Sequence, residues 1–114
     1  MAITSFEAHV RHEPRVAIVD LQGEINAFAE SILTTTFDEA ASQQPALILL
    51  NFRQVEYINS TGIALIVGLL KCARQLNCPL LACGLSDHYL EIFRISRLTD
   101  YIPIFPDEMS ALGE

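Results

Sequence analysis

The sequence predicts an α/β fold in one domain over residues 1–114, with a mixed, mostly parallel central β-sheet covered by about four helices. Strand-like and helix-like segments alternate along the chain. Two of the strand-like runs, ALILL (residues 46–50) and PLLACG (residues 79–84), contain no charged side chain. Such runs are typical of strands buried on both faces, so helices must cover the sheet and right-handed crossovers should join its parallel neighbours.

The first half of the chain should form two strands, a helix and the ALILL strand. Residues 3–10 can pair as an edge strand with RVAIVDLQG (residues 15–23), a β-branched run that closes in a turn at Gly23. Asn26 can cap the helix that follows, and Pro45 ends that segment. Side chains that recur at helical spacing predict the buried face of this helix: Phe28, Ile32, Leu33, Phe37 and Ala40.

The longest predicted helix starts in YINSTGIALIVGLL (residues 57–70). It should run from Ser60 to about Leu76, because Asn77 can end a helix and Pro79 prevents its continuation. This helix is apolar on nearly every side. One stripe must face the sheet, and the remainder is either covered by a neighbouring helix or exposed as a docking surface.

The last third of the chain continues the alternation after the PLLACG strand. Ser86 or Asp87 opens a helix that carries four residues on one side: Tyr89, Ile92, Phe93 and Ser96. YIPIF (residues 101–105) predicts a short final strand. PDEMSAL (residues 106–112) predicts a final helical turn with acidic residues at its start.

Composition argues against several classes of function. The 114 residues are 51% hydrophobic and 18% charged, which is typical of a globular protein. The net charge is −7, so phosphate backbones would repel the chain and no direct binding of nucleic acid is expected. The longest apolar run, residues 63–70, is far shorter than the roughly 20 residues that cross a bilayer. Residues 1–14 lack the layout of a secretion signal, so we expect a cytoplasmic protein with no membrane contact.

The sequence gives little support for a cofactor, metal or catalytic site, and we expect no enzyme activity. His9 and His12 should point to opposite faces of a strand, and His88 is isolated. Ser60 lacks the GxSxG surroundings of a hydrolase nucleophile. The cysteines lack CxxC spacing and are expected to be buried free thiols: Cys72, Cys78 and Cys83. A small hydrolase or thiol enzyme that uses Ser60 or a cysteine is the alternative from another functional class.

Four small residues, at positions 59–62, precede the apolar part of the long helix. Asn59 can act as the N-cap by accepting a hydrogen bond from a first-turn amide, and Ser60 or Thr61 could do so in its place. Gly62 would allow another chain to approach closely. A helix cap is a sufficient explanation of these residues, but the apolar surface next to two hydroxyl groups also fits a docking site.

A longer pattern in the chain resembles a known protein family. The segment LNFRQVEYINSTG…MSAL (residues 50–112) resembles the STAS domain, in particular the bacterial anti-sigma-factor antagonists. VAIVDLQGEINAFA (residues 16–29) is similar to the second strand and first helix start of that family. The most specific part is the quartet at 59–62, which in the family usually reads Asp-Ser-Ser-Gly or Asp-Ser-Thr-Gly. The resemblance implies a STAS-type fold and a regulatory function.

The resemblance also implies how such a regulator works. The unphosphorylated antagonist binds an anti-sigma factor that has a histidine-kinase-like ATPase fold, and the sigma factor is freed. That kinase phosphorylates the serine after the Asp, which matches Ser60, and a serine phosphatase later removes the phosphate. Thr61 matches a second hydroxyl position of the family. The implied partner contacts in this chain are Asn26, Asn59, Ser60, Thr61, Gly62, Ile63 and Ile66.

Two acidic positions of the family pattern differ in this chain. The Asp before the serine is Asn59, and the Asp near the first helix is Asn26. Asparagine can cap a helix but lacks the carboxylate, so Asp20 or Glu24 is a candidate source of negative charge. The differences favour an alternative hypothesis, in which the chain is a non-phosphorylated STAS scaffold that binds a protein partner or self-associates as a homodimer.

Overall fold

In the computed structural model, which describes residues 5–113, five strands form one sheet in the order β1-β2-β3-β4-β5. β1 is antiparallel to β2, and the other neighbouring pairs are parallel. The predicted mixed, mostly parallel sheet is therefore confirmed. The strands are β1 (Glu7–Glu13), β2 (Val16–Ile25), β3 (Leu47–Ile58), β4 (Leu80–Cys83) and β5 (Ile104–Phe105).

Four α-helices in the described residues cover this sheet unequally. They are α1 (Glu30–Ala41), α2 (Ser60–Gln75), α3 (Asp87–Ile95) and α4 (Glu108–Leu112). Two 3-10 turns, Ala27–Ala29 and Leu98–Asp100, precede α1 and follow α3. Helices α1, α2 and α3 bury their apolar stripes in the main core, whereas the short α4 contributes to a second cluster on the other face of the sheet. No helix within residues 5–113 is long and apolar enough to span a bilayer.

Alternation along the strands divides the apolar side chains between the two faces. Ile48 and Leu50 of β3 lie in the main core, and Leu49 lies with Ile18 and Cys83 in the second cluster. All three β3 residues are at most 1% exposed, which confirms that this strand is buried on both faces. The two faces differ in cover, because α4 is only five residues long.

Strand β2 continues past the turn predicted at Gly23, and that prediction is wrong. Gly23 has a φ of +97° and lies at a register shift between β2 and β3. A Cβ at this position would be 2.1 Å from the backbone oxygen of Ser5. Glycine is therefore required here by the close approach of the chain before β1 and by the backbone angle, not by a turn.

The edge strand also differs from its prediction. Pairing with β2 is confirmed, but β1 covers Glu7–Glu13 instead of residues 3–10. Positions 3 and 4 of the predicted strand lie outside the described residues. Arg15, between the two strands, has a φ of +69°, so the connection is a tight hairpin that lets β1 extend to Glu13.

The buried face of α1 is rotated relative to the sequence prediction. Leu33, Phe37 and Ala40 are buried as expected, but Ile32 is 38% exposed and Phe28 is 90% exposed. Phe28 belongs to the 3-10 turn Ala27–Ala29, which precedes the α-helix. A 3-10 turn has three residues per turn instead of 3.6, so the helical spacing cannot be extended back through it.

The cysteine prediction is only partly correct. All three thiols are free, and Cys83 is buried. Cys78 is half-buried, and Cys72, on the outer side of α2, is exposed, so the predicted burial of Cys72 is wrong. Burial raises the pKa of Cys83 to about 11, with smaller contributions from nearby carboxylates.

Candidate functional site

The candidate site is built where the carboxyl ends of β2 and β3 meet. Ile25 and Ile58 are register partners at the ends of these parallel strands, so the residues that follow them leave the sheet at the same edge. The amide of Asn59 donates to the backbone oxygen of Ile25 at 3.2 Å. The structure therefore brings together the two asparagines that sequence analysis selected, Asn26 and Asn59.

Helix α2 begins at Ser60 with Asn59 as its N-cap. Asn59 has an extended backbone, and its side-chain oxygen accepts from the Gly62 amide at 2.8 Å. Its backbone oxygen accepts from the Ile63 amide at 3.0 Å, which is the first bond of the helix. The predicted start and cap of α2 are confirmed, because the asparagine amide oxygen can cap without a carboxylate.

Both candidate phosphate acceptors are accessible at this helix start. Ser60 and Thr61 are the first two residues of α2, and both are exposed. The first turn contains no acidic side chain. A phosphate on either hydroxyl would therefore lie at the positive end of the helix dipole, near amides that have no carbonyl partner within the helix.

Gly62 and Ile66 are buried within the chain, so the structure does not expose either residue for its predicted partner contact. A Cβ on Gly62 would lie 2.1 Å from the Ile25 oxygen and 2.9 Å from Cγ2 of Ile58. The close approach that Gly62 permits is to the chain's own β2. Ile66 is 0% exposed because it lies on the stripe of α2 that packs into the main core. Ile63 is half-buried and remains available at the edge of this surface.

Asn26 organises the second half of the site. Its side-chain oxygen accepts from the Phe28 amide at 2.9 Å, and its backbone oxygen accepts from the Ala29 amide at 2.9 Å. These bonds form the 3-10 turn Ala27–Ala29, which contacts α2. The predicted capping role of Asn26 is confirmed, although the element that it caps is a 3-10 turn and not α1 itself.

Two contributions to this site were not predicted from the sequence. Phe28 was predicted in the buried face of α1, whereas it is 90% exposed in the 3-10 turn that contacts α2. The other is the hydroxyl of Tyr89, which accepts from the Ile58 amide at 2.9 Å and anchors the end of β3 immediately before Asn59. The available signal was Asn26, because an asparagine side chain often accepts from the backbone amide two residues later and so favours a tight turn.

The two acids proposed as charge sources lie in different surroundings. Asp20 is on the other face of the sheet, where Arg11 donates to it at 2.6 Å and Asn51 donates at 2.8 Å, so its assignment to the Ser60 site is wrong. Glu24 is half-buried next to Ile25 and remains the nearer candidate in the chain. Within residues 5–113, no group of three His, Cys, Asp or Glu side chains is placed to hold a metal.

A comparison with protein families matches the STAS domain model to residues 7–111. The anti-sigma F factor antagonist of Paenibacillus polymyxa is 25% identical over 111 residues. That alignment covers 96% of this chain and 95% of the relative.

Two solved structures share the fold. An anti-sigma factor antagonist from Mycobacterium paratuberculosis has a TM-score of 0.83 at 16% identity, with 96% of this chain and 92% of that chain covered. The phosphorylated form of the Bacillus cell fate determinant SpoIIAA has a TM-score of 0.70 at 18% identity, with coverage of 96% and 97%. At these identities the likeness establishes the architecture alone.

Proposed function

This chain belongs to the STAS domain family, and we propose that it is an anti-sigma factor antagonist whose binding to an anti-sigma factor is released by phosphorylation of Ser60. The observation that carries the proposal is the exposed Ser60 hydroxyl at the N-terminus of α2, a helix that contacts the 3-10 turn capped by Asn26. The relative from Paenibacillus polymyxa is named an anti-sigma F factor antagonist, and 95% of its length aligns with this chain. The phosphorylated SpoIIAA structure indicates that this fold can carry a phosphate.

A phosphate on Ser60 should leave the fold intact. Phosphoserine adds about −1.5 to −2 charges at neutral pH. At a helix N-terminus the dipole stabilises negative charge by about 0.3–1 kcal/mol. Because the Ser60 side chain is exposed and the first turn of α2 has no acidic residue, no apolar contact is lost and no like charge is met within that turn.

The same phosphate should weaken a protein interface. Within a partner's footprint, the added charge must be desolvated or must meet a like charge, and either costs several kcal/mol. Each ~1.4 kcal/mol changes affinity tenfold, so a cost of about 3–4 kcal/mol lowers affinity a few hundredfold. The regulation therefore acts on the complex and not on the architecture of the antagonist.

The proposed partner is an anti-sigma factor with a histidine-kinase-like ATPase fold. It would transfer the γ-phosphoryl group of ATP to the Ser60 oxygen, with ADP and the hydroxyl proton as products. A serine phosphatase would hydrolyse the phosphoserine and restore binding. Thr61, also exposed, is the second candidate acceptor.

Substitution of Ser60 tests this proposal. We expect Ser60→Asp to weaken binding to a purified histidine-kinase-like anti-sigma factor of the same genome by at least tenfold, and Ser60→Ala to bind like wild type. Isothermal titration gives the Kd, and thermal unfolding should place Ser60→Asp within a few degrees of wild type because the new acid lies in the first turn of α2, where the helix dipole stabilises negative charge.

The matched control is Ser110→Asp. Ser110 is an exposed serine in the first turn of α4, a helix that packs on the other face of the sheet. Ser110→Asp adds the same charge on a helix away from the Ser60 site and should leave the Kd unchanged. Equal affinity of wild type and Ser60→Asp would contradict the proposed switch.

A second candidate function is a non-phosphorylated scaffold. It is favoured by the absence of a carboxylate at the start of α2, where the N-cap is Asn59 and not the acid of the family pattern. Mapping phosphosites by mass spectrometry after incubation with the anti-sigma factor and Mg-ATP separates the two functions. Phosphate on Ser60 or Thr61 supports the switch, and unmodified protein that still binds the partner supports the scaffold.

A further inference from the structure

Phe28 is the most exposed large apolar side chain in the described part of the chain. Its side chain is 90% exposed, compared with 72% for Ile95. A phenylalanine ring in water forgoes the favourable transfer free energy of burial, and aromatic side chains, phenylalanine included, are enriched at protein interfaces.

The turn that carries Phe28 is ordered by its own hydrogen bonds. Asn26 accepts from the Phe28 amide through its side chain and from the Ala29 amide through its backbone, both at 2.9 Å. Ala29 is 0% exposed, so the residue immediately after Phe28 is fixed in the core. The backbone therefore holds the ring outward before any partner binds, which reduces the entropy lost on association.

Phe28 and Ser60 are close enough to share one partner footprint. Phe28 follows Ile25 by three residues, Ser60 follows Asn59 by one, and Ile25 and Asn59 are joined by a backbone hydrogen bond of 3.2 Å. With ~3.8 Å between consecutive Cα atoms, the Cα atoms of Phe28 and Ser60 are at most about 23 Å apart. A standard interface buries about 800 Å² on each partner, which is roughly 30 Å across.

We infer that Phe28 is the apolar anchor of the surface that Ser60 controls, and that its ring enters an apolar pocket of the anti-sigma factor. This inference rests on the proposed function. Glu24 and the exposed Glu30 flank the turn in the chain, and the net charge is −7, so the rim of that pocket should carry basic side chains.

Charge favours a different protein over a second copy as the occupant of this surface. Each copy of the chain carries −7, and two copies that meet at this edge would repel one another. A partner with a basic rim gains from the same charges. Phosphorylation of Ser60 would then add negative charge within the interface that Phe28 anchors, where it must be desolvated.

Replacement of Phe28 tests the inference. We expect Phe28→Ala to weaken binding to the anti-sigma factor at least thirtyfold, the range typical of an aromatic anchor, and Phe28→Leu to restore part of the affinity. Because the ring is 90% exposed, thermal unfolding of both variants should match wild type. The probe is the purified anti-sigma factor, with the Kd measured by isothermal titration.

The matched control is Ile95→Ala. Ile95 is 72% exposed and is the last residue of α3, whereas Tyr89 near the start of that helix contacts the end of β3. This variant should retain wild-type affinity.

The outcomes separate the inference from the proposed function. If Ser60→Asp weakens binding while Phe28→Ala changes the Kd less than threefold, the anchor assignment fails and the switch stands. If wild type binds no anti-sigma factor, the proposed function fails and the anchor with it. Sedimentation that shows a wild-type dimer dissociated by Phe28→Ala would assign the surface to a second copy and overturn the inference.

Discussion

Gly62 and Gly68 lie in the same helix but differ in their tolerance of a side chain. A Cβ on Gly62 would meet the backbone of β2, whereas a Cβ on Gly68 would have no atom within 4 Å in the described residues. From the sequence, Gly62 is predicted to be a point of close approach for another chain. The tertiary structure reassigns it to the packing of α2 against the end of β2, so substitution of Gly62 should damage folding before docking.

The glycine pair gives a prediction on stability. Gly62→Ala should lower the free energy of unfolding by about 1–3 kcal/mol, because backbone must move to admit the methyl group. Gly68→Ala should raise it by about 0.5–1 kcal/mol, because alanine loses less entropy in a helix. Urea denaturation measures both values. Destabilisation of similar size in the two variants would contradict this assignment of the contacts.

At the scale of elements, Arg11 links α4 to the sheet through polar contacts. Arg11 of β1 donates to Glu108 of α4 at 2.5 and 3.3 Å, and the same guanidinium donates to Asp20 of β2. Ala111 and Leu112 of α4 pack against the second apolar cluster, which contains Cys83. A short helix therefore covers the Cys83 thiol, and the partly exposed Arg11–Glu108 ion pair helps to hold this helix on the sheet.

Loss of the Arg11–Glu108 ion pair should make the Cys83 thiol more reactive toward alkylation. A partly exposed ion pair contributes about 0.2–1 kcal/mol, so Glu108→Ala should raise the rate of Cys83 alkylation up to about fivefold by favouring the opening of α4. Peptide mapping by mass spectrometry gives the rate for each cysteine, and the exposed Cys72 serves as an internal reference.

The control for this experiment is Asp107→Asn. Both Asp107 and Glu108 raise the pKa of Cys83, after the larger effect of burial. Asparagine removes the Asp107 charge, can still cap α4, and leaves the Arg11–Glu108 pair in place. An equal increase in both variants would mean that local charge, and not the opening of α4, sets the reactivity of Cys83.

At the scale of the whole molecule, the Arg11 network joins the two ends of the chain. Arg11 and Glu108 are separated by 97 residues in the sequence. The same guanidinium also donates to Asp20, which accepts a further hydrogen bond from the side-chain amide of Asn51. Burial by itself would raise the pKa of Asp20, but the hydrogen bonds from Arg11 and Asn51 outweigh it, and the pKa is lowered from 3.8.

The lowered pKa of Asp20 predicts a dependence of stability on pH. A carboxyl group with a lower pKa in the folded state stabilises that state above its unfolded pKa of about 3.8, and this contribution is lost as pH falls through the folded pKa. The difference in unfolding free energy between wild type and Asp20→Asn should therefore be constant from pH 7 to about 5 and shrink below about pH 4.

Urea titrations at a series of pH values measure this difference. Asp38→Asn, at an exposed position of α1, is the control for removal of a carboxylate away from the network. A difference between wild type and Asp20→Asn that grows on acidification would refute the stabilising role of the ionised Asp20.

The sequence by itself determined the features that depend on neighbouring residues. The alternation of strands and helices, the start of α2 at Ser60 and the Asn59 cap follow from local patterns of apolar residues, caps and turns. The burial of β3 on both faces follows from an uninterrupted apolar run.

Only the tertiary structure decided which residues face the solvent and which meet across the sheet. The contact of Gly62 with Ile25 and the pairing of Arg11 with Glu108 depend on segments that are distant in sequence. A residue's own type does not encode the position of such a segment, because the register of the sheet and the rotation of each helix are set by packing of the whole core. The motif identifies Ser60 as the candidate phosphate acceptor, whereas the exposure of its hydroxyl to solvent depends on that packing.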